Sequence, residues 1–536
     1  MTVKVLVTGE PAWAGRDVIP RLILDRVASR IRATDVTLWG PGSEAEASVR
    51  LGWTEAATVS RPLVPEIVAL RDSLRAAGIT HVVLGGMGGS SLAPETITRS
   101  AGVELTVLDA TDPDQVLAAL ADRLATTAVV ISSKSGGTVE TDSQKRVFEF
   151  AFEQAGIDPT ERIIIVTDPG SPLDLSGREA DYRVFNADPT VGGRYSALTA
   201  FGLVPSGLAG ADIGQLLDEA EAIAPVLARD TEDNPALILG AAIAGTSPLR
   251  DKLGFISDGS RTVGFGEWAE QLISESTGKM GRGILPVVLN VNAPELDLNE
   301  AMHLPDVQFV RLVDDADTYG RARNHDIVMS GPLGAQMMVW EYATVIAGHI
   351  LGINPFDQPD VEAAKIASRG LLDGQPVLAA PDLSQGGIDV HGSHDLLGSA
   401  TTVKAAINAL LSHVGDDGYI AIHAYANRLA LPELEGLRDL LATKARRPVT
   451  FGWGPRFLHS TGQYHKGGTP TGVFLQITTD SDNDLPIPRR PFTFGQLITA
   501  QAAGDAAVLA GQDRPVLTLN LTSPRANLPA LIAALS

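Results

Sequence analysis

A glycine-rich turn is the first stretch of the sequence whose residue types suit chemistry. The segment 81–94, HVVLGGMGGSSLAP, joins an apolar, strand-like run to a helix start with Pro94 in its opening turns. Such a turn presents unpaired backbone N–H groups at the positive end of a helix, where an anion is favoured. We therefore expect Gly88, Gly89 and the Ser90 hydroxyl to bind a phosphate group.

The same turn has two other interpretations. A strand, a G-x-G turn and an acid about 20 residues later, here Asp109, are typical of a dinucleotide site. Counted from Gly86, however, the sixth residue is Ser91, where that fingerprint has glycine. A tight turn without any ligand is the third interpretation.

A second loop rich in hydroxyl groups follows one βα unit later, in SSKSGGT (132–138). It offers Ser133, Lys134, Ser135 and Thr138 around two glycines, before a helix. Hydroxyls, backbone N–H groups and one lysine suit a dianionic phosphate, and loops at the ends of neighbouring parallel strands can converge on one ligand. Simple capping of the helix by Ser or Thr is the alternative.

Glu275 is the most unusual carboxylate of the sequence. Trp268, Leu272 and Glu275 fall at i, i+4 and i+7 and so share the apolar face of a helix. Gly278 marks the end of that helix, where a negative charge is disfavoured by the helix dipole. Both features would raise the pKa of Glu275 toward the range of a general base. A frayed, exposed helix end is the alternative.

Two basic residues could meet an anion. Arg194 follows two glycines and opens an apolar helix, so its guanidinium could stabilise an anion or a developing oxyanion; a surface pair with Asp188 is the alternative. Lys365 falls one turn after Val361 on a face of small and apolar residues, where it could also simply extend to water.

His459 and His465 lie in a glycine-rich loop before a late strand. Histidine is the side chain best suited to carry protons near neutral pH, although loop histidines often have no such role. The sequence has no H-x-x-x-H or H-E-x-x-H pattern and no cysteine, so we expect no metal site.

The elements that position these residues follow an alternating pattern. Between residues 81 and 187, strand-like runs such as TAVVISS and RIIIVTD alternate with helical stretches, which predicts βαβ units and a parallel sheet. The pattern restarts near residue 215 and ends in late strands, so we expect a second sheet that gathers strands from the middle and the end of the chain. The prediction is an α/β fold with an N-terminal segment (1–58) and two three-layer αβα domains (59–210 and 211–536).

Charge and composition restrict the partners. The 536 residues carry a formal net charge of −22, which disfavours nucleic acid and anionic membranes. The chain shows no leader and no run of about 18 apolar residues. We therefore expect a cytoplasmic protein with a small anionic substrate bound in a local positive pocket.

Five motifs in a familiar order carry a resemblance: GMGGSSLAPE, SSKSGGTVET, VGGRYSALTAFGL, SESTGK and NPFDQPDVEAAK. The sequence resembles the glucose-6-phosphate isomerases, which are built from two sugar-isomerase (SIS) domains with flavodoxin-like parallel sheets. Its N-terminal and C-terminal segments are most similar to the isomerase half of fused transaldolase/glucose-6-phosphate isomerase proteins. The resemblance implies sugar-phosphate substrates, no cofactor and a homodimer, with a rearranged strand order in the second domain.

The resemblance also implies roles for the residues singled out above. Arg194 would stabilise charge, Glu275 would transfer the proton and Lys365 would help to open the sugar ring. The phosphate would lie against the two loops, at Ser90 and at Ser133, Lys134, Ser135 and Thr138.

The histidine departs from the family pattern. The family places it between the glutamate and the lysine, whereas here the nearest likeness, STGQYH, follows both. We expect His465 to be the counterpart, with His459 in reserve. A dual phosphoglucose/phosphomannose isomerase and a non-catalytic phosphosugar-binding SIS protein remain alternatives.

Overall fold

The computed structural model describes residues 3–302, 304–319, 326–374, 380–481 and 483–535. Within these residues the strands are β1 (Lys4–Val7), β2 (His81–Gly86), β3 (Thr106–Leu108), β4 (Thr127–Ser132), β5 (Ile163–Thr167), β6 (Arg183–Asn186), β7 (Lys252–Ser257), β8 (Leu285–Leu289), β9 (Val307–Leu312), β10 (Asp326–Ser330), β11 (Leu383–Gln385), β12 (Ile388–Gly392), β13 (Tyr419–Tyr425), β14 (Val449–Trp453), β15 (Gly472–Thr479) and β16 (Val516–Leu521).

The α-helices are α1 (Gly9–Leu24), α2 (Val27–Arg32), α3 (Glu44–Ala47), α4 (Ala56–Val59), α5 (Leu63–Ala76), α6 (Leu92–Ala101), α7 (Pro113–Ala121), α8 (Val139–Gln154), α9 (Pro172–Glu179), α10 (Ala200–Ala209), α11 (Ile213–Leu227), α12 (Pro235–Ala244), α13 (Phe265–Thr277), α14 (Pro294–Met302), α15 (Leu333–Leu351), α16 (Val361–Gly374), α17 (Val403–Leu411), α18 (Leu437–Ala445), α19 (Gly462–Gly467), α20 (Phe494–Gly511) and α21 (Pro524–Leu535). Short 3₁₀ helices occupy Val36–Trp39, Pro41–Ser43, Gly52–Glu55, Gly88–Ser90, Leu124–Thr126, Pro159–Glu161, Gly193–Tyr195, Pro432–Gly436 and Arg456–His459.

Local sequence signals account for many helix starts. At the starts of α7, α9 and α12, the oxygen of a capping side chain accepts a hydrogen bond from a backbone N–H of the first turn. Each of these helices also has proline at its first position. The capping residues are Asp112, Ser171 and Asn234. Proline suits this position because its missing N–H would have no partner inside the helix.

The first sheet is entirely parallel, in the order β3-β2-β4-β5-β6. Every residue of β2, β4 and β5 is buried, because helices cover both faces of the sheet. The predicted α/β class, with βαβ units in this part of the chain, is confirmed.

The second sheet has the order β1-β10-β9-β7-β8. Strands β7 to β10 are parallel, and β1 of the N-terminal segment adds an antiparallel edge strand next to β10. The first and second sheets share one large apolar core, to which the almost wholly buried helix α15 also contributes.

The late strands form a third sheet, in the order β11-β12-β16-β15-β13-β14. Strands β13 to β16 are parallel, whereas β11 and β12 run antiparallel. The expectation that middle and late strands share one sheet is therefore wrong. The physical reason is that strands 383–521 bury their apolar side chains with α17, α18 and α21 in a core of their own.

The third sheet and its helices contact both other sheets. Tyr419, Tyr464 and Phe474 join a core with residues of β7, β8 and β9 of the second sheet. Phe494 and Leu497, at the start of α20, pack in a core with β2, β4 and β5 of the first sheet. This docking brings the loop that carries the two histidines to the ends of the first and second sheets.

Candidate active site

The two hydroxyl-rich loops leave the same edge of the first sheet. Gly86, the last residue of β2, lies opposite Ser132, the last residue of β4, in the parallel register. In the second loop the Ser133 and Thr138 hydroxyl oxygens are 3.0 Å apart. The predicted neighbourhood of the two loops is confirmed, and it is set by strand pairing.

The glycines of the first turn are required by two approaching backbones. Gly88 has a φ of +56°, and a Cβ there would lie 2.7 Å from the carbonyl oxygen of His459. A Cβ on Gly89 would lie only 2.0 Å from the carbonyl oxygen of Gly193. The turn is therefore also the junction at which the segments carrying Arg194 and His459 meet.

Lys134 and Asp109 have protein partners. The Lys134 Nζ lies 2.5 Å from Oδ2 of Asp168, in a pair with low exposure on both sides. Asp109, which a dinucleotide site would use, is buried against Arg456 at 3.1 Å and Arg428 at 3.7 Å. Because Asp109 is buried in these ion pairs, it is not accessible to the ribose of a dinucleotide, which argues against the dinucleotide interpretation.

Glu275 lies in the last turn of α13 and is 8% exposed. Its Oε2 accepts a hydrogen bond from the Gln271 amide at 3.3 Å and lies 3.6 Å from a guanidinium nitrogen of Arg194. Burial raises the pKa of Glu275, although Arg194, His459 and Lys365 oppose the rise. The carboxylate is buried as the helix spacing predicts, and the exposed-end interpretation is excluded.

Gly278 follows α13 for a steric reason. A Cβ at this position would lie 2.5 Å from the Cα of Tyr464 in α19. The Gly278 carbonyl also accepts a hydrogen bond from the Gln463 amide at 2.8 Å. The end of α13, and with it Glu275, is thus held against the histidine loop.

Arg194 is buried and fully oriented. It is 4% exposed, and its guanidinium donates to the Ser276 hydroxyl at 2.9 Å, the Gln358 side-chain oxygen at 2.5 Å, and the carbonyls of Pro355 and Asp357 at 2.7 and 3.1 Å. Asp188, the surface partner considered above, instead accepts hydrogen bonds from Thr190. Neutral acceptors fix the guanidinium beside Glu275 without neutralising it.

His459 is linked to Glu275 through the Gln271 amide and contacts a second carboxylate. Its backbone carbonyl accepts from the Gln271 amide at 2.8 Å, and its Nε2 lies 3.1 Å from Oε1 of Glu140. Burial opposes the charge of Glu140, but His459 and Lys365 outweigh it and lower the pKa of this carboxyl. Gln501 of α20 also donates to Glu140, at 2.7 Å.

His465 lies in the core behind this site. It is 2% exposed, its Nδ1 is 3.0 Å from the Tyr419 hydroxyl, and its ring contacts those of Tyr419 and Phe474. Burial lowers the pKa of His465 well below the usual range. The structure therefore brings His459 beside Glu275 and surrounds His465 with aromatic rings, the reverse of the order expected from the motif.

Lys365 reaches the site from α16. About a third of its side chain is exposed, and its Nζ pairs with Glu362 at 2.7 Å. Its charge stabilises the ionised forms of both Glu275 and Glu140. Glu140 was missed by sequence reasoning, and its only signal was its place directly after the second loop, in the first turn of a helix.

The comparisons with known proteins begin with the family described as Phosphoglucose isomerase, which matches residues 72–245. A probable glucose-6-phosphate isomerase from Haloarcula marismortui is 30% identical over 346 residues, which cover 56% of this chain and 79% of that protein. The chain belongs to the glucose-6-phosphate isomerase family. A glucose-6-phosphate isomerase from Synechococcus elongatus is 29% identical over 351 residues, covering 55% of this chain and 66% of the relative.

Among solved structures, a hypothetical protein from Thermus thermophilus has a TM-score of 0.57 and 23% identity, covering 69% of this chain and 100% of that one. This similarity supports the fold alone. The family match includes both hydroxyl-rich loops and Arg194, whereas Glu275, Lys365 and His459 lie beyond it. For these three residues the geometry is the main evidence.

A cavity of about 690 Å³ lies away from these residues. Its lining includes Ser260, Asp314 and Leu333, near the ends of β7 and β9 and the start of α15, and contains none of the candidate residues. The description of the site therefore depends on its chemistry and not on the size of a cavity. In the described part of the chain, no helix is long and apolar enough to cross a membrane.

Proposed function

We propose that the protein interconverts glucose 6-phosphate and fructose 6-phosphate through a cis-enediol(ate) intermediate. Membership of the family supports this reaction. The observation that carries the proposal is the buried Glu275 carboxylate, with a raised pKa, beside the oriented guanidinium of Arg194. Proton transfer through an enediolate requires a base that can gain and lose a proton, next to a fixed cation that stabilises the negative charge on oxygen.

The phosphate end of the sugar would lie at the two hydroxyl-rich loops. Ser90, Ser133 and Thr138 supply hydroxyls, and the loops supply backbone N–H groups at the starts of α6 and α8. Binding energy from this remote group would be used to position the reacting carbons.

Ring opening would be the work of His459 and Lys365. Glu140 occupies Nε2 of His459, so we assign Nδ1 the proton exchange with the sugar. The pair of Lys365 with Glu362 is partly exposed, and such pairs contribute only about 0–1 kcal/mol. Lys365 can therefore turn from Glu362 to the ring oxygen or the C1 hydroxyl at small cost.

Isomerisation would follow in the open chain. Ionised Glu275 takes the proton from C2, the electrons of that bond move to the carbonyl, and Arg194 stabilises the negative charge that develops on oxygen. The proton of the C2 hydroxyl passes to the oxygen on C1, the C2 carbonyl forms, and Glu275 returns its proton to C1, which yields the ketose. We thus propose His459, and not His465, as the catalytic histidine.

Three finer points belong to the proposal. We expect a homodimer, a cytoplasmic location and, from the terminal segments, a particular likeness to the isomerase half of fused transaldolase/glucose-6-phosphate isomerase proteins.

A direct assay separates this function from its alternatives. Fructose 6-phosphate is incubated with the protein and followed by proton NMR, and glucose 6-phosphate is the expected product. Comparable formation of mannose 6-phosphate would favour the dual phosphoglucose/phosphomannose isomerase. Binding without any turnover would contradict the proposal and favour a non-catalytic phosphosugar-binding protein.

A further inference from the structure

A buried lysine lies immediately behind the candidate base. Lys279 follows Gly278 at the end of α13 and is 2% exposed. Its Nζ donates to the carbonyl of Asn354 at 2.7 Å, the carbonyl of Asp357 at 2.5 Å and the Asp357 carboxylate at 2.7 Å. An ammonium group has three N–H donors, so all three contacts can be satisfied together only while Lys279 is protonated.

The acceptors of Lys279 belong to the segment that orients Arg194. The guanidinium of Arg194 donates to the carbonyls of Pro355 and Asp357 and to the side chain of Gln358, all within the segment 354–358. The Asp357 carbonyl accepts from both cations. A change at Lys279 is therefore transmitted through one short segment to the guanidinium beside Glu275.

We propose that Lys279 is a positioning residue whose ammonium holds the segment 354–358 in the form that orients Arg194, so that loss of its proton switches the isomerase off at alkaline pH. The inference rests on the proposed function of the same site. Lys279 acts through Arg194 and needs no contact with the substrate.

The electrostatics of the site favour titration within an accessible pH range. Burial and the nearby Arg194 lower the pKa of Lys279 to about 8, while Asp357 and Glu275 oppose the decrease. On α19, which contacts α13, the cation Lys466 is paired with Asp505 at 2.6 Å. Below about pH 8 the three donors are present, and above it Lys279 loses its charge and one donor.

The sign of the linkage distinguishes this switch from alkaline unfolding. A lysine whose folded pKa is lowered binds fewer protons in the folded state than in the unfolded state between the two pKa values. Its contribution to stability therefore increases with pH in that range. Activity that falls while the near-UV circular dichroism stays unchanged would reflect Lys279 and not unfolding.

The test is the pH dependence of kcat and KM for fructose 6-phosphate, measured on the full chain between about pH 6 and 10. The variants are Lys279→Met and Lys279→Arg, with Lys404→Met, an exposed lysine on α17, as the matched control. We expect an alkaline decrease near pH 8 in the wild type and the control. In Lys279→Met, kcat should fall about tenfold or more with little change in KM, because Arg194 acts on developing charge.

The two Lys279 variants give different pH profiles. In Lys279→Met, the decrease in kcat near pH 8 should be absent. Lys279→Arg should have a higher kcat than Lys279→Met and stay active to higher pH, because arginine keeps its charge. A second variant covers the case in which Lys279→Met fails to fold. Asp357→Asn removes a carboxylate charge that raises the pKa of Lys279. The decrease in kcat should therefore move to lower pH.

The outcomes that overturn the inference are distinct from failure of the proposed function. A native wild type that keeps constant kcat to pH 10, or a Lys279→Met variant that retains the decrease near pH 8, overturns the role of Lys279. A pH profile of kcat that is the same in Asp357→Asn as in the wild type also overturns the role of Lys279. Absence of turnover in the wild type at every pH would instead overturn the proposed isomerase function.

Discussion

Burial and nearby cations have opposite effects on the pKa of Glu275. Burial raises its pKa, whereas Arg194, His459 and Lys365 keep the ionised form accessible. A base that was only buried would be neutral and inactive, and one that was only paired would hold its charge too firmly to accept a proton. The helix spacing of Trp268, Leu272 and Glu275 predicts this burial, and the cations that moderate it come from segments distant in sequence.

The choice between the two histidines is tested by matched substitutions. We predict that His459→Asn lowers kcat by about 10²-fold or more, the usual contribution of a proton-transferring side chain. His465→Asn should lower the thermal midpoint because a polar amide replaces a ring packed against Tyr419 and Phe474. Its kcat per folded molecule should stay within about twofold of wild type, a change of less than about 0.5 kcal/mol in the barrier.

The reverse pattern, with activity lost in His465→Asn and kept in His459→Asn, would restore the assignment expected from the STGQYH motif. Sequence spacing could not decide between the two because they belong to different short elements. His459 ends a 3₁₀ helix, whereas His465 lies in α19, and the break between these elements turns the two side chains to different surroundings.

At the scale of elements, the site depends on a close meeting of three turns. Sequence reasoning explained the glycines at 88 and 89 by a ligand, and the structure adds two protein backbones that approach the same turn. A parallel first sheet was predictable from the βαβ pattern, which left the order of its strands open. The arrival of Gly193 and His459 was not predictable, because no local pattern encodes contacts between distant segments.

Gly89→Ala tests this packing. The new Cβ would need to displace the Gly193 carbonyl, which lies 2.0 Å from its position, and Arg194 follows directly in the chain. Since a displacement of about 1 Å at a catalytic group can cost about 10²-fold, we predict a loss of kcat of that order and a lower thermal midpoint. Both are measured on the purified variant.

Gly42→Ala is the matched control, because a Cβ at Gly42 meets nothing within 4 Å. It should leave kcat and the thermal midpoint near wild-type values. Wild-type activity in Gly89→Ala would mean that the turn tolerates the displacement and that its glycines serve only the ligand.

At the scale of the whole molecule, three sheets build one site. The first sheet supplies the hydroxyl-rich loops, the second supplies α13 with Glu275, and the third supplies His459 through the loop after β14. The sequence was sufficient to predict the class and the parallel first sheet, and it singled out Glu275 and Arg194, which the structure brings together. It was insufficient for the third sheet, because alternating hydrophobicity identifies strands without identifying their partners.

A buried ion network fixes the third sheet to the first. Arg456, three residues before His459, pairs with Glu95 of α6 and with Asp109, which follows β3, and Arg428 contacts the same two carboxylates. Burial opposes the charge of Glu95, but the two arginines outweigh it and lower its pKa to about 2. The network thereby joins the histidine loop to the first sheet and its helix α6.

Arg456→Met should destabilise the protein and displace His459. Removing one partner of a buried ion pair leaves uncompensated charge and typically costs about 3–5 kcal/mol. We therefore predict a lower urea midpoint at pH 7, together with a lower kcat. Arg261→Met, at a side chain that is 86% exposed, is the matched control and should change neither quantity.

The pH dependence adds a second criterion for Arg456. Since the pKa of Glu95 is lowered in the folded state, its stabilisation is present above its unfolded pKa and is lost as the pH falls toward 2. The difference in midpoint between wild type and Arg456→Met should therefore narrow at acidic pH. A difference that stays constant would argue against the ion network as its source.

The most direct test of the whole account is the turnover of Glu275→Gln. We predict that kcat for fructose 6-phosphate falls by about 10²- to 10⁴-fold while the sugar phosphate still binds, because the amide keeps the shape of the side chain and cannot accept the proton. Glu267→Gln, on the same helix, should keep wild-type turnover. Wild-type turnover in Glu275→Gln would contradict the assignment of Glu275 as the base and the mechanism built on it.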